Sequence, residues 1–115
     1  MRSLVAALSL CLIAGIVPAK AESCIASVYS TKGHDQNGTR TASGIPLNYG
    51  VATMARPSRE HLGHWQTITN TANGRLRTVH VTDLGPFVSG HCVDVSVMAA
   101  IVLGCDRLCP VKAKL

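Results

Sequence analysis

The first 21 residues have the organisation of a secretory signal peptide, which sets both the size and the redox environment of the part that folds. Arg2 gives a positive start, Leu4–Val17 is almost entirely apolar, and Ala19-Lys20-Ala21 supplies the small-residue pattern that precedes a cleavage site. We expect cleavage after Ala21. Removing 21 of the 115 residues leaves one domain of 94 residues, 22–115, whose core is small enough to need covalent help.

Four cysteines remain after the leader, namely Cys24, Cys92, Cys105 and Cys109. An even number of cysteines in a short exported chain predicts two disulfides, with three connectivities open. The alternative is a zinc site with four cysteine ligands, which usually shows two close cysteine pairs. Only Cys105 and Cys109 are close in this sequence, so we predict two disulfides, no metal and no cofactor.

Composition gives little support to membrane or nucleic-acid partners. No segment after the leader is long and apolar enough to span a bilayer, and the bulky Leu10 argues against lipid attachment at Cys11. Arg2 and Lys20 leave with the leader, which lowers the formal net charge from +5 to +3. Because basic residues form no run and aromatic residues are few, we expect no nucleic-acid binding. A mild positive charge suits an anionic envelope polymer.

The rest of the sequence predicts a mostly-β domain with one helix. Asn73-Gly74 indicates a hairpin with a two-residue type I′ turn. Ser96 and Gly104 suit the two ends of a short helix over Val97–Leu103, which is apolar nearly all round and is therefore expected to be buried. Residues 30–40 contain no apolar side chain and are expected to form an exposed loop. The predicted strands are Ile25–Tyr29, Val51–Ala55, Trp65–Thr69, Arg75–Thr82, Cys92–Val95 and Val111–Leu115.

Several short motifs occur in an order that is typical of one family. They are Ala26-Ser27-Val28-Tyr29, Thr41-Ala42-Ser43-Gly44, Thr69-Asn70-x-x-Asn73-Gly74, Val81-Thr82-Asp83-x-Gly85-Pro86-Phe87, Val93-Asp94-Val95-Ser96 and Ala99-Ala100-x-x-Leu103-Gly104. In this order they resemble the rare lipoprotein A-like double-psi β-barrel, a family that includes septal lytic transglycosylases and is related to barwin and expansin domains. The resemblance covers residues 25–115.

The resemblance implies a six-stranded double-psi β-barrel whose groove accepts the β-1,4-linked glycan strands of peptidoglycan. Lytic transglycosylases cut between N-acetylmuramic acid and N-acetylglucosamine, with the muramic acid's own 6-hydroxyl as nucleophile. A single carboxyl group can then serve as acid to the leaving oxygen and as base to the hydroxyl. A hydrolase normally needs two carboxylates at a set separation.

The same resemblance implies Asp83 as the main catalytic acid and base, with Asp94 supporting it. Asp83 follows Val79 and Val81 at a spacing of two, which predicts that it shares their face of the strand. The structural alternatives are an Asp83 that only opens the following turn and an Asp94 that only favours the helix N-terminus. Substrate binding is expected from Tyr29, Thr41, Ser43, Arg56 and Phe87.

Two positions depart from the pattern of active family members. Ile45 stands where they carry a glutamate after Thr-Ala-Ser-Gly, and Arg56 stands where they carry a histidine. The alternative function is therefore a non-catalytic glycan-binding module of the cell envelope. His61-x-x-His64 is expected to lie in a loop with solvated side chains, and Trp65 is expected to be either core or a glycan platform. We expect a monomer that is periplasmic or secreted.

Overall fold

The computed structural model describes residues 21–28, 40–48 and 50–114, and within these residues six strands close into one barrel. The barrel carries one α-helix, α1, and one short 3₁₀ helix in the same described part, which confirms the predicted mostly-β class. None of these helices is long and apolar enough to cross a membrane. The elements are β1 (Ala21–Val28), β2 (Thr53–Arg56), the 3₁₀ helix (Arg59–His61), β3 (Trp65–Asn70), β4 (Leu76–Leu84), β5 (His91–Val95), α1 (Val97–Leu103) and β6 (Leu108–Lys114).

The strands follow the order β1-β5-β2-β4-β3-β6 around the barrel. The pairs β1–β5 and β2–β4 are parallel, and the other pairs are antiparallel. β1 closes the barrel against β6 over a long ladder that runs from Ala21 opposite Lys114 to Ser27 opposite Leu108. Closure removes the unpaired strand edges that would otherwise invite association with other chains.

Alternating side chains of the strands fill the barrel interior, as strand geometry requires. Val93 and Val95 point into the core from β5, while Asp94 between them is partly exposed. β3 turns Gln66, Ile68 and Asn70 inward. The other buried apolar residues include Ala26, Met54, Val79, Val81, Val111 and Ala113.

Helix α1 begins and ends where the sequence predicts, because both ends are fixed by local chemistry. The Ser96 side chain accepts the N–H of Ala99, and Gly104 takes the left-handed conformation at φ +67°. The expectation that the helix is buried all round was wrong, since Ile101 is 63% exposed. Ala99, Ala100 and Leu103 form its buried stripe, so only one face packs on the barrel.

The β3–β4 hairpin is confirmed, but its predicted two-residue turn was wrong. Asn70 N–H donates to the Arg75 carbonyl at 2.8 Å, which leaves four residues, 71–74, in the loop. Contacts with another part of the fold explain the longer loop. The side-chain amides of Asn70 and Asn73 both donate to the carbonyl of Leu103, at 3.0 and 2.9 Å, and a wider loop lets both reach the end of α1.

Strand ends differ from the predictions because pairing partners decide them. β1 begins at Ala21 and β6 at Leu108, earlier than predicted, because each extends along the other. β2 begins at Thr53 instead of Val51. Residues 1–20 of the predicted 21-residue leader and residues 30–39 of the predicted exposed loop lie outside the described residues.

The disulfide prediction is confirmed, and the connectivity is now defined. Cys24 on β1 bonds to Cys92 on β5, and Cys105 bonds to Cys109 across the connection from α1 to β6. The first bond joins residues 68 positions apart, and the second joins residues four apart. The four cysteines also lie in contact with or within the buried cluster, so the covalent links supplement a small core.

Candidate functional site

Both predicted acids lie on one row across the outer surface of the barrel. β2 runs between β4 and β5, and Ala55 of β2 is the register partner of Asp83 on one side and of Asp94 on the other. Residues opposite one another in neighbouring strands share a face of the sheet. Asp83 and Asp94 therefore flank the fully buried Ala55. Their Cα atoms are about 10 Å apart, twice the usual strand spacing.

A β-bulge in β4 turns Asp83 outward. Met54 is opposite Val81, but the next residue, Ala55, is opposite Asp83, so Thr82 is the extra residue of β4. The prediction that Asp83 shares the face of Val79 and Val81 was therefore wrong: both valines are fully buried in the core, and Asp83 is partly exposed on the outer row. The bulge thus supplies the side-chain direction that a regular strand would not.

The Thr41–Ile45 turn docks onto Asp83. Oδ1 of Asp83 accepts the backbone N–H of Ala42 at 3.0 Å and that of Leu84 at 2.9 Å. The N–H of Ser43 donates to the Thr82 carbonyl at 3.0 Å, which fixes the turn on the end of β4. Oδ2 of Asp83 has no hydrogen-bond partner among the described residues.

The hydroxyl groups of this turn form hydrogen bonds within the turn itself. Thr41 Oγ1 donates to the Ile45 carbonyl at 2.6 Å and lies 2.9 Å from Ser43 Oγ. Thr41 is buried and Ser43 is partly exposed, so the substrate-binding roles of both stay predictions. Ile45 is 47% exposed on the turn that Asp83 holds, so an apolar side chain lies where the family resemblance implies a glutamate.

A hydrogen bond from the neighbouring strand β1 orients Asp94. Ser27 of β1 is its register partner and donates a hydroxyl hydrogen bond to Oδ1. The disulfide between Cys24 and Cys92 links the same two strands, β1 and β5, near this pair. Ser27 belongs to one of the family-like motifs, but the sequence alone predicts no role for it at the site.

The segment that follows Asp83 crosses toward Asp94. Gly85 donates its N–H to the Arg56 carbonyl at 3.0 Å and has φ +126°, a conformation that suits glycine. A Cβ at this position would lie 3.7 Å from Oδ2 of Asp94 and 3.9 Å from the Phe87 ring. Phe87 is 80% exposed, and its ring lies on the Gly85 side of Asp94, where a sugar ring can reach it.

Arg56 is buried beneath the surface and does not line the row. Only 1% of its side chain is exposed, and one guanidinium nitrogen lies 3.6 Å from the Glu22 carboxylate. Burial lowers the pKa of the guanidinium, and Glu22 raises it in part. A glycan would reach Arg56 only after its covering side chains move, so its predicted substrate contact stays a prediction.

His61 belongs to the same buried polar group, which sequence reasoning missed. Its side chain is 13% exposed, so the expectation of solvated histidines was wrong at this position, and its segment includes a short 3₁₀ helix. The Gln66 amide donates to Nδ1 of His61 at 2.8 Å. Burial lowers the pKa of the His61 imidazole, and Arg56 lowers it further, while Glu60 and Glu22 raise it in part.

Within the described residues, one group of possible metal ligands comes together, namely Glu22, Cys24 and Cys92. The two sulfur atoms are bonded to each other, so they offer no thiolate to a metal. Tyr29, which was predicted to bind substrate, lies outside the described residues.

The curated proteins that are similar in sequence to this chain share one name, RlpA. A probable endolytic peptidoglycan transglycosylase RlpA from Nostoc sp. is 41% identical over 80 residues, which is 70% of this chain and 21% of that protein. The endolytic peptidoglycan transglycosylase RlpA from Pasteurella multocida is 39% identical over 80 residues, 70% of this chain and 26% of that protein. A probable RlpA from Aquifex aeolicus is 39% identical over 94 residues, 77% of this chain and 38% of that protein. The chain thus spans well under half the length of these relatives.

Two solved structures share the fold. Apo-expansin from Clavibacter michiganensis superposes with a TM-score of 0.60 at 20% identity, over 84% of this chain and 50% of that one. The Streptomyces papain inhibitor also gives 0.60, at 19% identity, over 87% of this chain and 99% of that one. No protein-family model matches the chain. The sequence relatives and the closed barrel together show that this chain carries a double-psi β-barrel domain of the rare lipoprotein A-like family.

Proposed function

We propose that the domain acts on peptidoglycan as a lytic transglycosylase-like protein, with Asp83 as acid and base and Asp94 in support. The observation that carries the proposal is the shared row on which Asp83 and Asp94 flank Ala55. Ala55 is fully buried, but both carboxyl side chains are partly exposed, so a linear glycan can reach them from outside the barrel. The named activity of the RlpA relatives, endolytic peptidoglycan transglycosylation, supports this substrate class.

In the proposed reaction, the protonated Asp83 carboxyl gives its proton to the glycosidic oxygen between N-acetylmuramic acid and N-acetylglucosamine. The bond from that oxygen to C1 breaks, and O6 of the same muramic acid bonds to C1. The Asp83 carboxylate then takes the proton from the 6-hydroxyl, which restores the acid and leaves a 1,6-anhydro product. Oδ1 of Asp83 is held by two backbone N–H groups, so Oδ2 is the oxygen that would exchange the proton. Asp94 would stabilise positive charge that develops at C1.

Two observations favour a second candidate, a glycan-binding module without cleavage. Ile45 offers no second proton-transfer group on the turn beside Asp83. Arg56, at the position of the family's histidine, is buried and directed to Glu22 instead of to the row. A row that holds a glycan through Phe87 and Asp94 needs neither of these missing groups.

We further propose that the protein is a monomer, periplasmic or secreted, and that the mature chain begins at Glu22. In this structure Glu22 already lies within β1 and contacts Arg56, so a chain cut after Ala21 keeps this contact. Intact-mass analysis of exported protein is expected to show loss of the first 21 residues. A diacylglyceryl group on an N-terminal Cys11 would contradict this.

One experiment separates catalysis from binding. Purified protein is incubated with peptidoglycan sacculi, and the soluble and bound fractions are analysed by mass spectrometry and sedimentation. Release of 1,6-anhydro-muropeptides supports the enzyme. Binding to sacculi without release supports the binding module. A protein that does not bind sacculi and releases no product would contradict both candidates.

A further inference from the structure

Trp65, the single tryptophan of the chain, stacks on His80 at the surface of the barrel. The two ring centroids are 4.6 Å apart, and the ring planes differ by 3°. Trp65 is nevertheless 65% exposed, so its packing on His80 leaves much of the indole in contact with solvent. The sequence left open whether Trp65 is core or platform, and the structure places it outside the core.

The stacked pair is held in a fixed position by its neighbours. Trp65 and His80 are register partners on β3 and β4. Nε2 of His80 lies 3.2 Å from the Gly63 carbonyl, within hydrogen-bond distance. Val81 N–H donates to the His64 carbonyl at 2.9 Å, so the segment just before Trp65 is bound to the strand that carries His80. An aromatic ring fixed in this way loses little freedom when a ligand covers it.

The pair lies on the same outer face as the candidate acids. His80 is the register partner of Thr53, and Asp83 is the register partner of Ala55, two residues further along β2. At the usual rise of a strand, the two rows are therefore about 7 Å apart. A surface thus continues from Asp83 to Trp65 along β4, without crossing to another side of the barrel.

The chemistry of this surface suits a sugar ring. The axial C–H groups of a β-linked pyranose form an apolar face that stacks on an indole, while its hydroxyl groups need polar partners at the edge. On the same face, two residue pairs further along the hairpin, the hydroxyl oxygens of Thr67 and Thr78 are 3.0 Å apart at the surface. An exposed tryptophan whose neighbours are hydroxyl groups differs from an apolar patch built for another protein surface.

We propose that Trp65, supported by His80, is a stacking platform for a further sugar of the same peptidoglycan glycan strand that lies across Asp83 and Asp94. This platform rests on the proposed function, because it extends the glycan site of that proposal. It binds the strand outside the cleavage point and therefore favours long glycans over short ones.

The test uses the full mature protein and exploits the fact that Trp65 is the chain's single tryptophan. Asp83→Asn protein, which leaves the glycan uncut, is titrated with peptide-free glycan fragments of peptidoglycan of increasing length while tryptophan fluorescence is recorded. A saturable change in emission that requires the longer fragments is expected.

Sedimentation with sacculi supplies the matched comparison. Trp65→Ala is expected to weaken binding by about tenfold, the loss of one good stacking contact. Trp65→Phe should restore part of the affinity, because it keeps an aromatic face. Ile101→Ala removes an apolar residue of similar exposure, 63%, from the solvent face of α1 and should bind like wild type. Melting curves of each variant confirm that differences in binding do not come from unfolding.

The outcomes keep the two proposals apart. Wild-type protein that binds sacculi, together with Trp65→Ala that binds equally well, overturns the platform and leaves the proposed function standing. Tryptophan emission that does not change when glycan binds, but changes with protein concentration, indicates self-association through Trp65. This result also overturns the platform. Wild-type protein that does not bind glycan at all overturns the proposed function and the platform with it.

Discussion

Oδ1 of Asp83 accepts the backbone N–H of Ala42 at 3.0 Å, so the candidate acid also holds the turn beside it. Asp83→Asn keeps an oxygen acceptor of the same shape and removes the titratable proton. We expect this variant to melt close to wild type and to release no anhydro-muropeptides from sacculi. Asp83→Ala loses the acceptor as well and should lower the free energy of unfolding by about 1–2 kcal/mol. An active Asp83→Asn protein would mean that Asp83 only stabilises the turn.

The elements that sequence predicts well are those fixed by neighbouring residues. Helix α1 was predicted at its observed ends because Ser96 and Gly104 act within one turn of it. The hairpin was predicted, but its loop length was not, because the amide of Asn70 reaches across the fold to Leu103. Strand ends likewise follow their partners, as β6 does along β1.

The candidate site was predictable in its residues but not in its arrangement. Asp83 and Asp94 were named from motifs, yet their shared row depends on β2 lying between β4 and β5, which no local pattern reveals. The outward direction of Asp83 depends on a bulge whose signal in the sequence is weak. The burial of Arg56 beside Glu22 joins residues 34 positions apart and has no periodic signature.

Restoring a carboxyl group at position 45 is expected to raise activity. Ile45 is 47% exposed, and its turn is held by backbone groups and by the Thr41 hydroxyl, so Ile45→Glu should fold normally. A glutamate there can share the proton transfer with Asp83. We expect anhydro-muropeptide release to rise on the order of 10²-fold, a low-end value for a positioned acid or base. Ile45→Gln has nearly the same size without the proton and should not gain activity. Equal gains in both variants would show that polarity, not proton transfer, limits the site.

The two disulfides should differ in their contribution to stability. Loss of a disulfide frees the unfolded chain, and the effect grows with the length of the closed loop. Cys24 and Cys92 are 68 positions apart, whereas Cys105 and Cys109 are four apart. On the loop-entropy account we expect a cost of about 4 kcal/mol for Cys24→Ala with Cys92→Ala and of about 2 kcal/mol for Cys105→Ala with Cys109→Ala. Urea unfolding of the two double variants measures this. A larger loss from the second pair would contradict the ranking.

Stability should fall as the pH drops below about 6.5, in part because of His61. Its pKa in the folded state is lowered from 6.5, first by burial and then by Arg56. Between the folded and unfolded pKa values the unfolded chain binds more protons, so acidification in this window favours unfolding. His61→Asn keeps an acceptor for the Gln66 amide and should flatten this part of the pH profile. An unchanged slope in the His61 variant would contradict the assignment.

The long ladder between β1 and β6 has a consequence for the order of folding. β1 is the first strand of the barrel, yet its partners are β5 and β6, the last two. Its contacts are therefore among the most distant in sequence that the domain contains, and contacts of this kind slow folding because a large loop must close before they form. A chain extruded from its N-terminal end has to hold β1 unpaired until residues 91–114 have followed. During that interval Cys24 has no partner, because Cys92 is the next cysteine along the chain, and Cys105 and Cys109 become competing partners once they follow. Correct bridging is thus a late event, and a thiol–disulfide exchange catalyst in the same compartment would shorten the time to the native barrel.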